Sequence, residues 1–181
     1  HKKEKVAHIE LVDNYARELS QAQRIQIAFL MDCTGSMGPY IKQAKETIST
    51  LVDNFKNRGW NESFFAFVGY RDYGDAIVET FSFSGNVQDF KEHLEKKVDP
   101  KGGKVQCEDV YDGLSRVVRD LEWNDNIPNK LIYHIADAPC HGTFFAKGQN
   151  FVDDHSGFDP TGAQTKQALE NMRQRDIGYV F

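Results

Sequence analysis

The chain has 181 residues, 40% of them hydrophobic and 27% charged, enough for one domain with a substantial core. Its formal net charge of −5 argues against a basic nucleic-acid-binding face, and no apolar run approaches the ~20 residues that cross a bilayer. Three cysteines cannot build a disulfide framework, and together they point towards a reducing, cytoplasmic setting.

Residues 1–23 carry Val6, Ile9, Leu11, Tyr15 and Leu19 at roughly helical spacing, which predicts an amphipathic lead-in helix ahead of a domain over 24–181. Ile25–Met31 is a continuous apolar run, the pattern of a parallel strand covered on both faces. Tyr40–Asn57 has a helical stripe (Ile41, Ala44, Ile48, Leu51, Val52, Phe55), with Gly38-Pro39 suited to its first turn. Ser63–Tyr70 reads as a second buried strand and Ala76–Phe83 as a third. The gap between them is too short for a crossover helix, so this pair is expected to be antiparallel. Helices follow over Asn86–Lys97 and Cys107–Leu121, then a strand over Lys130–Ala136, a long Gly-rich loop, a helix over Ala163–Gln174 and a strand from Ile177 to Phe181. Alternating strands and helices predict a doubly wound α/β fold. Its sheet is mostly parallel, with one antiparallel edge strand and helices on both faces. Ending on a strand, the chain is expected to be truncated at its C-terminal end.

In such sheets ligands bind beyond the carboxyl ends of the parallel strands. The polar residues there are Asp32, Thr34 and Ser36 after the first strand, Arg71, Asp72 and Asp75 after the second, Glu108 and Asp109 before the Cys107 helix, and Asp137 and His141 after the Lys130 strand. Carboxylates and hydroxyls dominate, and these suit a hard cation: Mg²⁺, with Mn²⁺ or Ca²⁺ as alternatives. Each group also has a plainer reading. Asp32, Thr34 and Ser36 suit a helix cap. Asp72 suits a tight turn with an Arg–Asp pair. Asp109 and Asp112 suit the dipole of a helix start. His134 and His141 suit structural hydrogen bonds, and the cysteines suit small buried hydrophobes rather than a redox sensor.

Asp32-Cys33-Thr34-Gly35-Ser36 resembles the Asp-x-Ser/Thr-x-Ser signature of von Willebrand factor A domains. "QCEDVYDGL" resembles the Glu-bearing metal loop of integrin β A-type domains, with Glu108 in the glutamate position, and "ADAPCHG" resembles their Thr-Asp-Ala-x-x-His loop, with Asp137 and His141 in register. "DCTGSM", "GYRDYGD" and "ADAPCHG" together look like A domains joined to α-kinases in protists. The resemblance implies a metal-ion-dependent adhesion site. Thr34 and Ser36 would bind Mg²⁺ through their hydroxyls, Asp32 through water or by holding its waters, and Glu108 and Asp137 would complete the set. Asp109 is the competitor of Glu108, and Asp72 falls near a position that serves a neighbouring cation in integrin β domains. It also implies a non-enzymatic module that recruits a protein partner through a partner carboxylate. Two alternatives compete with it. One is a Mg²⁺-dependent phosphohydrolase with Asp32 as nucleophile, although Thr34 stands where the second aspartate of that chemistry belongs. The other is a structural domain of a larger assembly with an inactive metal site.

Overall fold

The computed structural model describes residues 13–14, 16–60, 62–75, 79–145 and 150–181. Most of the expected lead-in helix, including Val6, Ile9, Leu11 and Tyr15, lies outside the described residues. Residues 16–22 are helical, and Leu19 on them is exposed.

Strands β1 (Arg24–Asp32), β2 (Glu62–Tyr70), β3 (Thr80–Ser84), β4 (Asn129–Ile135) and β5 (Ile177–Val180) form one sheet in the order β3-β2-β1-β4-β5. β1 runs parallel to β2 and β4, and β4 parallel to β5, while β3 is antiparallel to β2. The apolar run of β1 therefore occupies the centre, buried from Ile25 onwards, as a strand sandwiched on both faces must be. Helices α1 (Gly38–Asn57) and α2 (Val87–Lys97) cover one face. There Ile27, Phe29 and Met31 of β1 meet Ile41, Ile48 and Val52 of α1 and Phe90 and Leu94 of α2. Helices α3 (Val110–Arg119) and α4 (Ala163–Gln174) cover the other, where Ala28 and Leu30 meet Leu114 and Val117 of α3 and Ala168 and Met172 of α4. Alternate residues of one strand thus serve two cores.

Two boundaries differ from the sequence reading. The third strand, expected over Ala76–Phe83, is described as Thr80–Ser84, with residues 76–78 outside the description. The helix expected from Cys107 begins only at Val110. Glu108 is instead bridged to the loop after β4. Its N–H donates to the Pro139 carbonyl (2.9 Å) and its own carbonyl accepts from the His141 N–H (3.2 Å). Asp109 is the N-cap, with Oδ1 accepting the Asp112 N–H at 3.0 Å. Gly113 lets α3 lie close on the sheet, since a Cβ there would fall 2.6 Å from the Tyr70 ring.

Candidate metal centre

The end of β1, the loop before α3 and the end of β4 converge. After Asp32 the chain is pinned by the Cys33 N–H, which donates to the Tyr70 carbonyl of β2 (2.8 Å), and then makes a tight turn over Gly35–Met37 into α1. Asp32 Oδ1 accepts from both the Thr34 N–H (2.8 Å) and the Thr34 hydroxyl (2.6 Å). Thr34 Oγ1 lies 3.1 Å from Ser36 Oγ, which donates to Asp137 Oδ1 at 3.1 Å. Four of the residues singled out from the sequence therefore form one hydrogen-bonded chain. Asp32 and Thr34 are fully buried, Ser36 and Asp137 exposed. Glu108 closes on Thr34 from the α3 side. Gly103, at φ +75°, packs against both, its hypothetical Cβ 3.0 Å from Glu108 Oε1 and 3.1 Å from Thr34 Cβ. The backbone before it locks onto the β1 loop, with the Gly35 N–H donating to Gly102 O (3.0 Å) and the Lys101 N–H to Cys33 O (2.9 Å). Asp75 Oδ2 accepts the Gly103 N–H at 2.8 Å.

Among the described residues Asp32 Oδ2 and Glu108 Oε2 are buried carboxylate oxygens without a hydrogen-bond partner. Leaving such atoms unpaired is costly. Burial raises the Asp32 pKa against the two Thr34 bonds, with the Asp137 and Asp72 charges adding to the rise. Burial, joined by the Asp32 and Asp72 charges, pushes Glu108 up to about 8, opposed by a bond from Thr34. Two unpartnered carboxylate oxygens beside two hydroxyls are an all-oxygen donor set short of positive charge, and a hard divalent cation fits it. Asp109 is spent on the helix cap, and burial raises its pKa too.

Asp72 has other partners. Its Oδ1 meets His141 Nε2 (2.7 Å) and accepts the Tyr73 N–H (2.7 Å), and its Oδ2 accepts the Lys104 N–H (3.2 Å). Arg71, expected as its partner in a turn, donates to the carbonyls of Cys33 (3.3 Å) and Asp99 (3.2 Å). His141 Nδ1 meets Asp153 Oδ1 at 2.8 Å, so one imidazole joins two carboxylates, all three side chains nearly sealed from solvent. Burial opposes charge on His141, but its bonds to Asp153 and Asp72 outweigh that and raise its pKa. Burial would lift both aspartates, but hydrogen bonds led by His141 hold them below the ordinary range. Asp153 was not among the residues singled out from the sequence. His134 sits between the Tyr70 (2.8 Å) and Tyr179 (2.6 Å) hydroxyls. Burial pushes the Cys33 and Cys140 thiols up to about 12 and Cys107 to about 11, so none is a ready thiolate.

This fold with these loops defines a von Willebrand factor A domain. The family profile of that name matches residues 26–147, and the chain belongs to the family, whose membership points to a protein-interaction module. Among individual proteins it is similar to alpha-protein kinase vwkA of Dictyostelium discoideum, at 32% identity over 168 residues. That alignment takes in 91% of this chain and 26% of the relative, so the chain spans about a quarter of that protein's length. Among solved structures it is similar in fold to proximal thread matrix protein 1 from the mussel byssus (TM-score 0.60, 19% identity, covering 87% of this chain and 35% of the other). A second is the pilus adhesin SpaC of Lactobacillus rhamnosus GG (TM-score 0.55, 14% identity, covering 81% and 23%). No helix among the described residues is long and apolar enough to cross a membrane.

Proposed function

We propose that this domain is a non-enzymatic, metal-dependent interaction module. Asp32, Thr34, Ser36, Glu108 and Asp137 would hold Mg²⁺, and a carboxylate from a protein partner would complete the shell. The observation that carries this reading is the pair of buried, unpartnered oxygens, Asp32 Oδ2 and Glu108 Oε2, set beside the Thr34 and Ser36 hydroxyls. When bound, the cation supplies the positive charge that two buried carboxylates lack and a coordination position for an acidic side chain. Thr34 and Ser36 offer neutral oxygens, Asp32 holds Thr34 in place, and the exposed Ser36–Asp137 pair forms the rim that a partner meets. The Glu108 carboxylate, with its negative charge, tightens the hold on the cation and weakens its pull on an acidic partner. The likeness to alpha-protein kinase vwkA supports a place beside a kinase domain, and the cytoplasmic address is our reading of the sparse cysteines.

Calorimetry on the 181-residue chain tests the metal reading. One Mg²⁺ or Mn²⁺ should bind per chain, and Asp32→Ala or Ser36→Ala should abolish it or weaken it at least tenfold. An intact chain that binds neither cation, or an Asp32→Ala variant that binds them unchanged, overturns it. Partner capture should likewise be lost in excess chelator. Capture that persists there removes the adhesion mechanism.

A further inference from the structure

The loops around His141 hold a second set of donors that the adhesion site does not use. Asp72, His141 and His155 each place a ligand atom within 4.8 Å of the others'. Each imidazole has its Nδ1 on a carboxylate of its own: His141 on Asp153 Oδ1 (2.8 Å), His155 on Asp154 Oδ1 (2.7 Å). Such a bond keeps a proton on Nδ1 and leaves Nε2 as the nitrogen that offers a lone pair once any proton on it is given up, the outer-shell arrangement that orients a histidine for a metal. Asp153 is itself fixed by the N–H groups of Gly142 (2.9 Å) and His155 (2.9 Å), so the support is rigid. The two rings meet edge to face at 5.0 Å. His141 and Asp72 are buried, while the His155 side chain is 35% exposed and gives an ion a way in.

We propose that Asp72, His141 and His155 form a second metal site, one for a borderline transition-metal ion of the Zn²⁺ type. Two imidazoles and one carboxylate are poor ligands for Mg²⁺ and good ones for Zn²⁺. Three protein ligands leave a fourth tetrahedral position for water or for a side chain brought by a partner. The cation takes the place of the proton between His141 Nε2 and Asp72 Oδ1, now 2.7 Å apart, and that proton leaves to solvent. Two ligands at tetrahedral zinc stand about 3.3 Å apart, so the pair opens by only about 0.6 Å. The Cys107 thiol also approaches His141 and Asp153. A cation bound there would break the His141–Asp153 bond that orients the ring, whereas the Asp72–His155 side preserves it.

Co²⁺ is the probe, titrated into the 181-residue chain in saturating Mg²⁺ and followed by visible ligand-field absorption. One equivalent should bind and be displaced by Zn²⁺. His155→Gln, at a half-exposed position that leaves the fold intact, should weaken Co²⁺ about 100-fold. Asp154→Asn should weaken it about 10-fold. Asp32→Ala should leave Co²⁺ affinity unchanged while losing Mg²⁺. Absent absorption, Co²⁺ affinity unaltered in His155→Gln, or Co²⁺ binding lost in Asp32→Ala each overturns the second site. Mg²⁺ calorimetry reads the adhesion site independently.

Discussion

Two groups of buried carboxylates lie side by side at the carboxyl end of this sheet, and they have opposite fates. Asp72 and Asp153 share one imidazole and several backbone N–H groups and are held as anions. Asp32 and Glu108, equally buried, each keep an unpartnered oxygen, and Glu108 titrates near 8. Burial alone does not decide what a carboxylate does. The partner within reach decides it: the first pair has an imidazole between its two members, and the second has none, which is the ground for proposing that it takes a cation from solution.

The first test removes that imidazole. His141→Ala leaves Asp72 and Asp153 buried and uncompensated and should cost about 3–5 kcal/mol in urea unfolding. A loss below about 1 kcal/mol would erase the contrast between the two groups. Next comes the pH dependence of the metal-free protein. With Glu108 raised from 4.5 to about 8, the folded state keeps a proton that the unfolded chain has lost. Stability is then highest below about pH 4.5 for this group and falls as pH rises towards 8, by on the order of 5 kcal/mol. In chelator, Glu108→Gln should flatten that slope, and saturating Mg²⁺ should flatten it in the unaltered chain. A smaller effect is expected from Gly103→Ala, which puts a methyl 3.0 Å from Glu108 Oε1 at a positive φ. It should cost about 1–2 kcal/mol and weaken Mg²⁺ without touching the His141 cluster. The smallest is Asp109→Ala, losing about 1 kcal/mol of cap energy with Mg²⁺ affinity unchanged within about twofold. A large loss of Mg²⁺ there would transfer the ligand role from Glu108 to its neighbour.

Much of this arrangement can be read from residue order. The apolar run of β1 marks a central strand, and the polar residues that follow such runs mark the loops that meet. What escapes is whatever depends on loops meeting one another. Glu108 looks like the start of a helix because Cys107 and Val110 extend its apolar stripe, yet a bridge to the loop after β4 holds it outside. Asp153 lies in a stretch without periodicity, and only the folded loops show that it faces His141. Its one sequence signal is the Asp-Asp-His run at 153–155. Gly103 carries no side chain for pattern reading to use, yet it is the backbone that packs against Thr34 and Glu108.

Gly113 touches none of the candidate ligands, yet its missing side chain sets how near α3 lies to Tyr70. Glu108 and Asp109 sit at the head of that helix, so the depth of one carboxylate is governed by the absence of a methyl group one turn away. A screen for lost cation binding would therefore score a hit at a residue with no donor atom of its own. The lesion would be one of distance, and restoring ligands could not repair it.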